Sequence, residues 1–318
     1  MQQTIGVAIV GAGYMASEHA RAFAAIPAVR IVGVCGRRPD RAEALAAQHC
    51  APVFDDIGRM AAETHAAIVV VAVNELSMAA VCSEVFKHSW LVFLEKPVGV
   101  DWPQAREIAD QAARAGARAY VALNRRSYAS TRQALATLAE GQGPRLVSVL
   151  DQQDMASAAA GGQPAEVVRN YMFANSIHLV DYFNCFCRGR VREIVCPVPW
   201  SPEVPGHVVA VLRYDSGDSG VYQAVWNGPG PWSCTVTNDT VRVELRPLER
   251  LGIQRRGERR LTEVAPDPID SEFKPGLMWQ ARQVLEAHAG RPHTLASIGD
   301  ALDSMALVAD IYGMRGDG

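Results

Sequence analysis

The 318-residue chain has no run of about five like charges, and its formal net charge is −3. A nucleic-acid groove or an anionic membrane surface would call for a basic cluster, so neither partner is expected. Paired cysteines are missing too. The seven thiols, at positions 35, 50, 82, 185, 187, 196 and 234, form no CxxC and keep no zinc-type spacing with histidine. Cys185 and Cys187 make a CxC, but on a helix two such residues point about 200° apart. An odd, scattered set suits free thiols in a reducing compartment, and no metal is expected. No apolar stretch reaches the roughly 18 residues of a membrane span. The apolar "IGVAIVGAGYMA" near the start lacks the basic flank of an export signal. No internal repeat is found. These absences leave a cytoplasmic protein acting on a small molecule as the expected class.

What is present is 49% hydrophobic and 20% charged sequence, ordinary for a globular protein. Residues 1–123 alternate strand and helix signals. The strand candidates are "TIGVAIV" (4–10), "VRIVGVC" (29–35), "AAIVVVAV" (66–73), "WLVFLE" (90–95) and "ARAYVAL" (117–123), with a short "APVF" at 51–54. They are continuously apolar, as strands buried on both faces are. Helical segments at 15–25, 39–48, 76–87 and 103–115 lie between them. The alternation predicts an α/β domain built on a doubly wound parallel sheet.

From residue 124 the texture changes. A helix over 128–140 is followed by a strand, "RLVSVLDQQD", and by a small-residue stretch, 155–166, expected to be the most mobile loop. A half-buried helix, "NYMFANSIHLVDYF", begins at 170. Strand signals at 191–196, 206–214, 219–226, 232–237 and 240–246 come in series, separated by turns such as "DSGDSG". Helices over 275–289 and 296–313 close the chain. Residues 124–318 are therefore expected to form a second, α+β domain with a large, mostly antiparallel open sheet.

The first strand runs into Gly11, Gly13 and Ala16, a GxGxxA pattern that opens a helix. Gly11 allows the tight turn, Gly13 lets backbone approach a pyrophosphate at the helix N-terminus, and Ala16 keeps helix and sheet close. With Tyr14 and Met15 between them, these residues are expected to hold a dinucleotide. Val73 and Asn74, at the end of the third long strand, belong to the same cradle. An NAD site would place an acid about 20 residues beyond the glycines. Here Gly36 is followed by Arg37 and Arg38. Two guanidinium groups suit a 2′-phosphate, so NADP(H) is favoured over NAD(H).

Together, the glycine motif, "FLEKPVG" (93–99) and "NSIHLVD" (175–181) resemble the glucose–fructose oxidoreductase/inositol dehydrogenase (Gfo/Idh/MocA) family. "LNRRSYASTR" (123–132) and "EFKPGLMWQA" (272–281) are similar to one branch of it. The resemblance implies a Rossmann domain followed by an open sheet that packs against another subunit, giving a homodimer or homotetramer. It places Lys96 beside the nicotinamide ribose and substrate in proton transfer, with Glu95 and Pro97 at the cofactor. Pro97 is expected to follow a cis peptide. Asn124, after the sixth strand, joins the cofactor residues.

The second signature of the family reads Asp-x-Gly-x-His-x-x-Asp. In this chain the stretch is Ala174-Asn175-Ser176-Ile177-His178-Leu179-Val180-Asp181. His178 and Asp181 stay, while the first acid is Ala174 and the glycine is Ser176. At roughly 100° per residue, His178 lies on a side with Tyr171, Ala174, Asp181 and Tyr182, away from the apolar side. His178 is thus a second catalytic candidate. Arg125, Arg126, Tyr171, Asn175, Asp181, Lys274 and Trp279 are candidates for substrate contact. Tyr171 and Tyr128 are possible stand-ins for the missing acid. The implied function is an NADP(H)-dependent oxidoreductase moving hydride to or from a small, polar, sugar-like carbonyl or alcohol. Imine or enone reduction, a catalytically silent NADP sensor, or a lyase or hydrolase using a transient hydride step are the alternatives.

Overall fold

The structure, a computed structural model, describes residues 4–315. In chain order it contains β1 (Ile5–Val10), α1 (Tyr14–Ala24), β2 (Val29–Cys35), α2 (Pro39–Gln48), β3 (Val53–Phe54) and α3 (Ile57–Thr64). β4 (Ile68–Val71), α4 (Met78–Val85), β5 (Leu91–Leu94), α5 (Trp102–Ala115), β6 (Arg118–Val121) and α6 (Ala129–Leu138) follow. Next come β7 (Leu146–Gln153), α7 (Met155–Ala160), α8 (Ala165–Arg169), a π turn (Met172–Ser176) and α9 (Ile177–Phe186). β8 (Val191–Val198), β9 (His207–Tyr214), β10 (Ser219–Trp226), β11 (Ser233–Thr237), β12 (Val241–Leu245), β13 (Leu251–Arg255) and β14 (Thr262–Val264) form the later strands. The chain closes with α10 (Ile269–Glu272), α11 (Leu277–His288), β15 (Ala296–Ser297) and α12 (Ile298–Ile311).

Two compact units result. The first holds the residues up to 99 with 103–124 and 272–302; the second holds 100–102, 125–271 and those from 303 onward. This differs from the expected division at 123/124, because the segment 272–302 returns to the first unit. The reason is packing: Leu277, Ala281 and Val284 on α11 enter the same core as Ala16, Ala20 and Phe23 on α1.

The first unit is an α/β Rossmann domain with sheet order β15-β6-β5-β4-β1-β2-β3. The strands are parallel apart from β15, which pairs antiparallel with β6. β15 is too short to be read from sequence. Every residue of β4 is fully buried, and each Val or Ile so placed contributes roughly 1.5–3 kcal/mol, which is why the strand shows no alternation. The order reverses beside β1, so the carboxyl ends of β1 and β4 border the crevice where ligands bind in such sheets.

The second unit is built on an eight-stranded sheet, β14-β13-β12-β11-β7-β10-β9-β8, antiparallel except for the β7/β10 pair. The expected loop at 155–166 is a correction: α7 and α8 occupy most of it. Asp154 caps α7 by accepting the Ser157 N–H at 2.8 Å, and the alanines that follow are strong helix formers. The helix from 170 is also corrected. A π turn adds a residue per turn over 172–176, so the wheel loses phase there. His178, Leu179, Val180, Asp181, Tyr182 and Phe183 are all buried, so α9 has no half-exposed face along that run. Among the described residues, no helix is long and apolar enough to cross a membrane.

Candidate active site

In the first unit the dinucleotide cradle is fixed by backbone conformation. Gly11 has φ +117°, and a Cβ there would lie 2.1 Å from the Ala72 carbonyl oxygen, so no other residue fits. Gly13, the N-cap of α1, would present a Cβ to open space, and no side chain caps the helix. Its first-turn N–H groups thus suit an anion. Ala16 is fully buried where α1 meets the sheet. These features fit a dinucleotide pyrophosphate.

Around that turn, Tyr14 is exposed, and Lys274 Nζ sits 5.3 Å from its ring centroid. Met15 packs at the edge of the core. Beyond β4, Val73 is half-buried. The exposed Asn74 accepts the Ser77 N–H at 3.0 Å through Oδ1. Asn124 is buried and donates to the Pro275 carbonyl at 3.2 Å. Trp279 donates to Thr294 Oγ1 at 3.4 Å. Lys274 and Trp279 therefore both belong to the first unit.

Arg37 and Arg38 are exposed after β2. Arg38 is held by Asp40 at 2.9 Å, and its hydrogen bond keeps the Asp40 carboxyl below the usual carboxylate range. Part of the Arg38 charge is therefore already matched by Asp40.

At the end of β5, Glu95 is buried and does two things. Its Oε1 lies 2.7 Å from His19 Nε2, and its Oε2 accepts the backbone N–H of Lys96 at 3.2 Å. The Lys96–Pro97 peptide is cis. Lys96 itself is half-buried. Sequence reasoning missed His19. The available signal was its place in the inward stripe Ala16, His19, Ala20, Phe23, where a polar residue calls for a buried partner.

In the second unit, His178 is buried on α9. Asp181, one turn on, accepts a bidentate pair from Arg126 at 2.7 and 2.6 Å and a third bond from Ser304 Oγ at 2.6 Å. Arg126 and Asp181 are thus brought together. Arg125 lies over the Trp232 ring at 4.6 Å. Tyr171 packs with Val100, Val167 and Ala174, and Tyr128 is buried at the start of α6. Asn175 Nδ2 donates to Gln153 Oε1 at 2.8 Å. Gln153 and its neighbour Asp151 also went unnoticed in the sequence, although both continue the inward phase of Val147 and Val149 on β7. Among the described residues, no group of three His, Cys, Asp or Glu side chains could hold a metal ion.

Residues 5–123 match the model of the Gfo/Idh/MocA oxidoreductase family, NAD-binding Rossmann fold. No curated protein matches the chain. Among solved structures, a dehydrogenase from Chromobacterium violaceum shares 18% identity over 98% of this chain and 95% of that one, with a TM-score of 0.83. UDP-N-acetylglucosamine 3-dehydrogenase GnnA from Acidithiobacillus ferrooxidans shares 16% over 98% and 97%, at 0.79. The WlbA dehydrogenase from Bordetella pertussis, in complex with NADH and UDP-GlcNAcA, shares 19% over 99% and 96%, at 0.75. At these identities the likeness is one of fold.

Proposed function

We propose, from the premise that residues 5–123 match the model of the Gfo/Idh/MocA oxidoreductase family, that the chain is an NADP(H)-dependent oxidoreductase acting on a small, polar, sugar-like carbonyl or alcohol. The observation that carries the reading is the cradle at the reversal of the first sheet. Gly11 is pressed against Ala72, Gly13 opens α1, and Arg37 is exposed where an NAD site would carry an acid. Gly11, Gly13, Tyr14, Met15 and Ala16 would hold the pyrophosphate, with Val73, Asn74 and Asn124 along the strand ends. Arg37, with Arg38 sharing its charge with Asp40, would take a 2′-phosphate. The Bordetella relative binds NADH, so the preference for the phosphate form rests on these two arginines.

Bound, a nicotinamide cofactor supplies or accepts the hydride. The chain supplies protons and orientation. Reduction of a carbonyl places a proton on oxygen as carbon gains hydride, and the Lys96 ammonium donates that proton. His178 orients the reacting oxygen and exchanges the proton. Glu95, tied to His19, fixes the backbone at Lys96. Two or four copies assemble through the second unit's sheet, whose edge strand β8 exposes Val191, Val195 and Val198.

Steady-state kinetics with NADPH and a carbonyl substrate test the assignment. Lys96→Met and His178→Asn are each expected to lower kcat by about 100-fold or more, the usual worth of a general acid or base, with NADPH affinity kept. Unchanged turnover in both variants would refute it.

A further inference from the structure

The stretch that departs from the family signature is a π turn, Met172–Ser176. Such wide turns recur at functional sites because they re-aim side chains. It carries Ala174 where a carboxylate is expected, followed by Asn175 and Ser176. Two polar residues on β7 reach this turn. Asp151 is 2% exposed and Gln153 1%. Asp151 Oδ1 accepts from Gln153 Nε2 at 2.6 Å, and Oδ2 accepts from Tyr222 OH at 2.7 Å. The Tyr222 hydroxyl lies 2.8 Å from that of Tyr312, which is 3.5 Å from Ser176 Oγ. The carboxylate thus sits within a buried set of hydroxyl and amide donors.

These bonds have direction. In its ionised form a carboxylate only accepts, and Gln153 accordingly turns its NH2 toward Asp151 and its Oε1 away. Oε1 then accepts from Asn175 Nδ2 at 2.8 Å, and the same nitrogen lies 3.5 Å from Tyr171 OH. Both donor protons of Asn175 are therefore aimed at protein. Its Oδ1 receives no hydrogen bond among the described residues, on a side chain that is half-buried.

We infer that Asp151 and Gln153 are positioning residues that set the polarity of the Asn175 carboxamide, and that Asn175 Oδ1 is a specificity-determining acceptor for a substrate hydroxyl or N–H. This rests on the reading of the α9 region as substrate-binding. The chain then offers a neutral acceptor one residue beyond the position where the family signature has an acid. An amide oxygen holds a donor group but takes no proton from it at neutral pH, so proton transfer stays with Lys96 and His178. A substrate bearing a hydroxyl beside its carbonyl is favoured over its deoxy analogue, because leaving a polar group unpaired is costly.

Two measurements separate this inference from the reading beneath it. Neutron diffraction from the deuterium-exchanged wild-type protein should find deuterons on the Asn175 nitrogen facing Gln153, and on the Gln153 nitrogen facing Asp151. The reverse order, with the Gln153 nitrogen facing Asn175, overturns the inference. The second arm measures NADPH oxidation with hydroxyacetone against acetone, and with a keto-inositol against its deoxy analogue. Asp151→Asn, whose amide lets Gln153 turn over, should raise KM for the hydroxylated ketones about 5-fold, the worth of one neutral hydrogen bond. The deoxy partners should be unaffected, and kcat should move by less than KM. Equal effects on both partners overturn it. If none of the four ketones is reduced, the oxidoreductase reading is what suffers, and the deuteron positions decide the inference alone.

Discussion

His19 Nε2 lies 2.7 Å from Glu95 Oε1, with both side chains buried. The pair fastens α1, whose N-terminus forms the cradle, to the end of β5, where Lys96 begins. Removing one partner leaves the other buried without its hydrogen bond. His19→Ala is therefore expected to cost about 2 kcal/mol, read as a lowered urea midpoint at unchanged slope. His19→Gln, which can still donate to Glu95, should recover part of it. A midpoint equal to wild type would show that the pair contributes nothing to stability.

Arg126 and Asp181 make a bidentate pair that is largely buried. Breaking such a pair by deleting one side strands the other charge. Asp181→Ala should destabilise by about 3 kcal/mol, and Arg126→Met by a comparable amount. The double variant should lose less than the sum of the two, since the cost belongs to one interaction. Additive losses in denaturant titrations would contradict this.

Two buried aspartates in the second unit are expected to respond to pH with opposite sign. Burial pushes the Asp218 carboxyl up, but hydrogen bonds from the Arg188 side chain and from the Arg145 and Arg188 N–H groups outweigh it, leaving it below its ordinary value. Asp218 thus stabilises the fold above the unfolded value of about 3.9, and that contribution is lost as pH falls through the lower folded value. Burial raises Asp151, with donors from Tyr222, Ser176 and Gln153 opposing. Its folded form holds a proton longer, so stability declines as pH rises from about 3.9 toward the raised folded value. Melting curves of Asp151→Asn and Asp218→Asn against wild type should show it. The first variant should gain on wild type as pH rises from about 4, and the second should lose least under acid. Parallel curves would contradict both assignments.

Replacing Arg37 and Arg38 with serine should erase the preference for NADP over NAD. A ligand at 100 times its Kd stabilises by about 2.7 kcal/mol, so melting shifts at matched concentrations report the preference directly. In the wild type NADP should give the larger shift. Arg37→Ser alone should have more effect than Arg38→Ser, because Arg38 is already engaged by Asp40.

Much of the first unit could be read from residues alone. β2 and α2 fall where the sequence places them, since the apolar run from Ile31 to Cys35 ends at Gly36 and Pro39 sits at the first helical position. The large second sheet was legible from its serial turn signals, though β13 and β14 were not. What could not be read depends on distant partners. His19 meets Glu95 across 76 positions, and α11 returns to the core of α1 after the whole second sheet has been built. The π turn was hidden because its residues fit an ordinary helical period equally well. α7 could have been found, because Asp154 and Ser157 stand at capping distance before a run of alanines. Of the candidate site, the glycines and Lys96 were marked by motif, whereas the Asp151–Gln153–Asn175 chain emerges only when β7 is laid beside the π turn.

The central claim is hydride transfer from NADPH. Its most direct test is a single-turnover experiment in which the protein, saturated with NADPH, is mixed with a panel of sugar-like ketones, imines and enones while nicotinamide absorbance is followed. The account predicts rapid oxidation of the cofactor by at least one hydroxylated ketone, slowed by about 100-fold or more in Lys96→Met. Bound NADPH that no member of the panel oxidises would contradict it and leave a cofactor-binding protein without the chemistry.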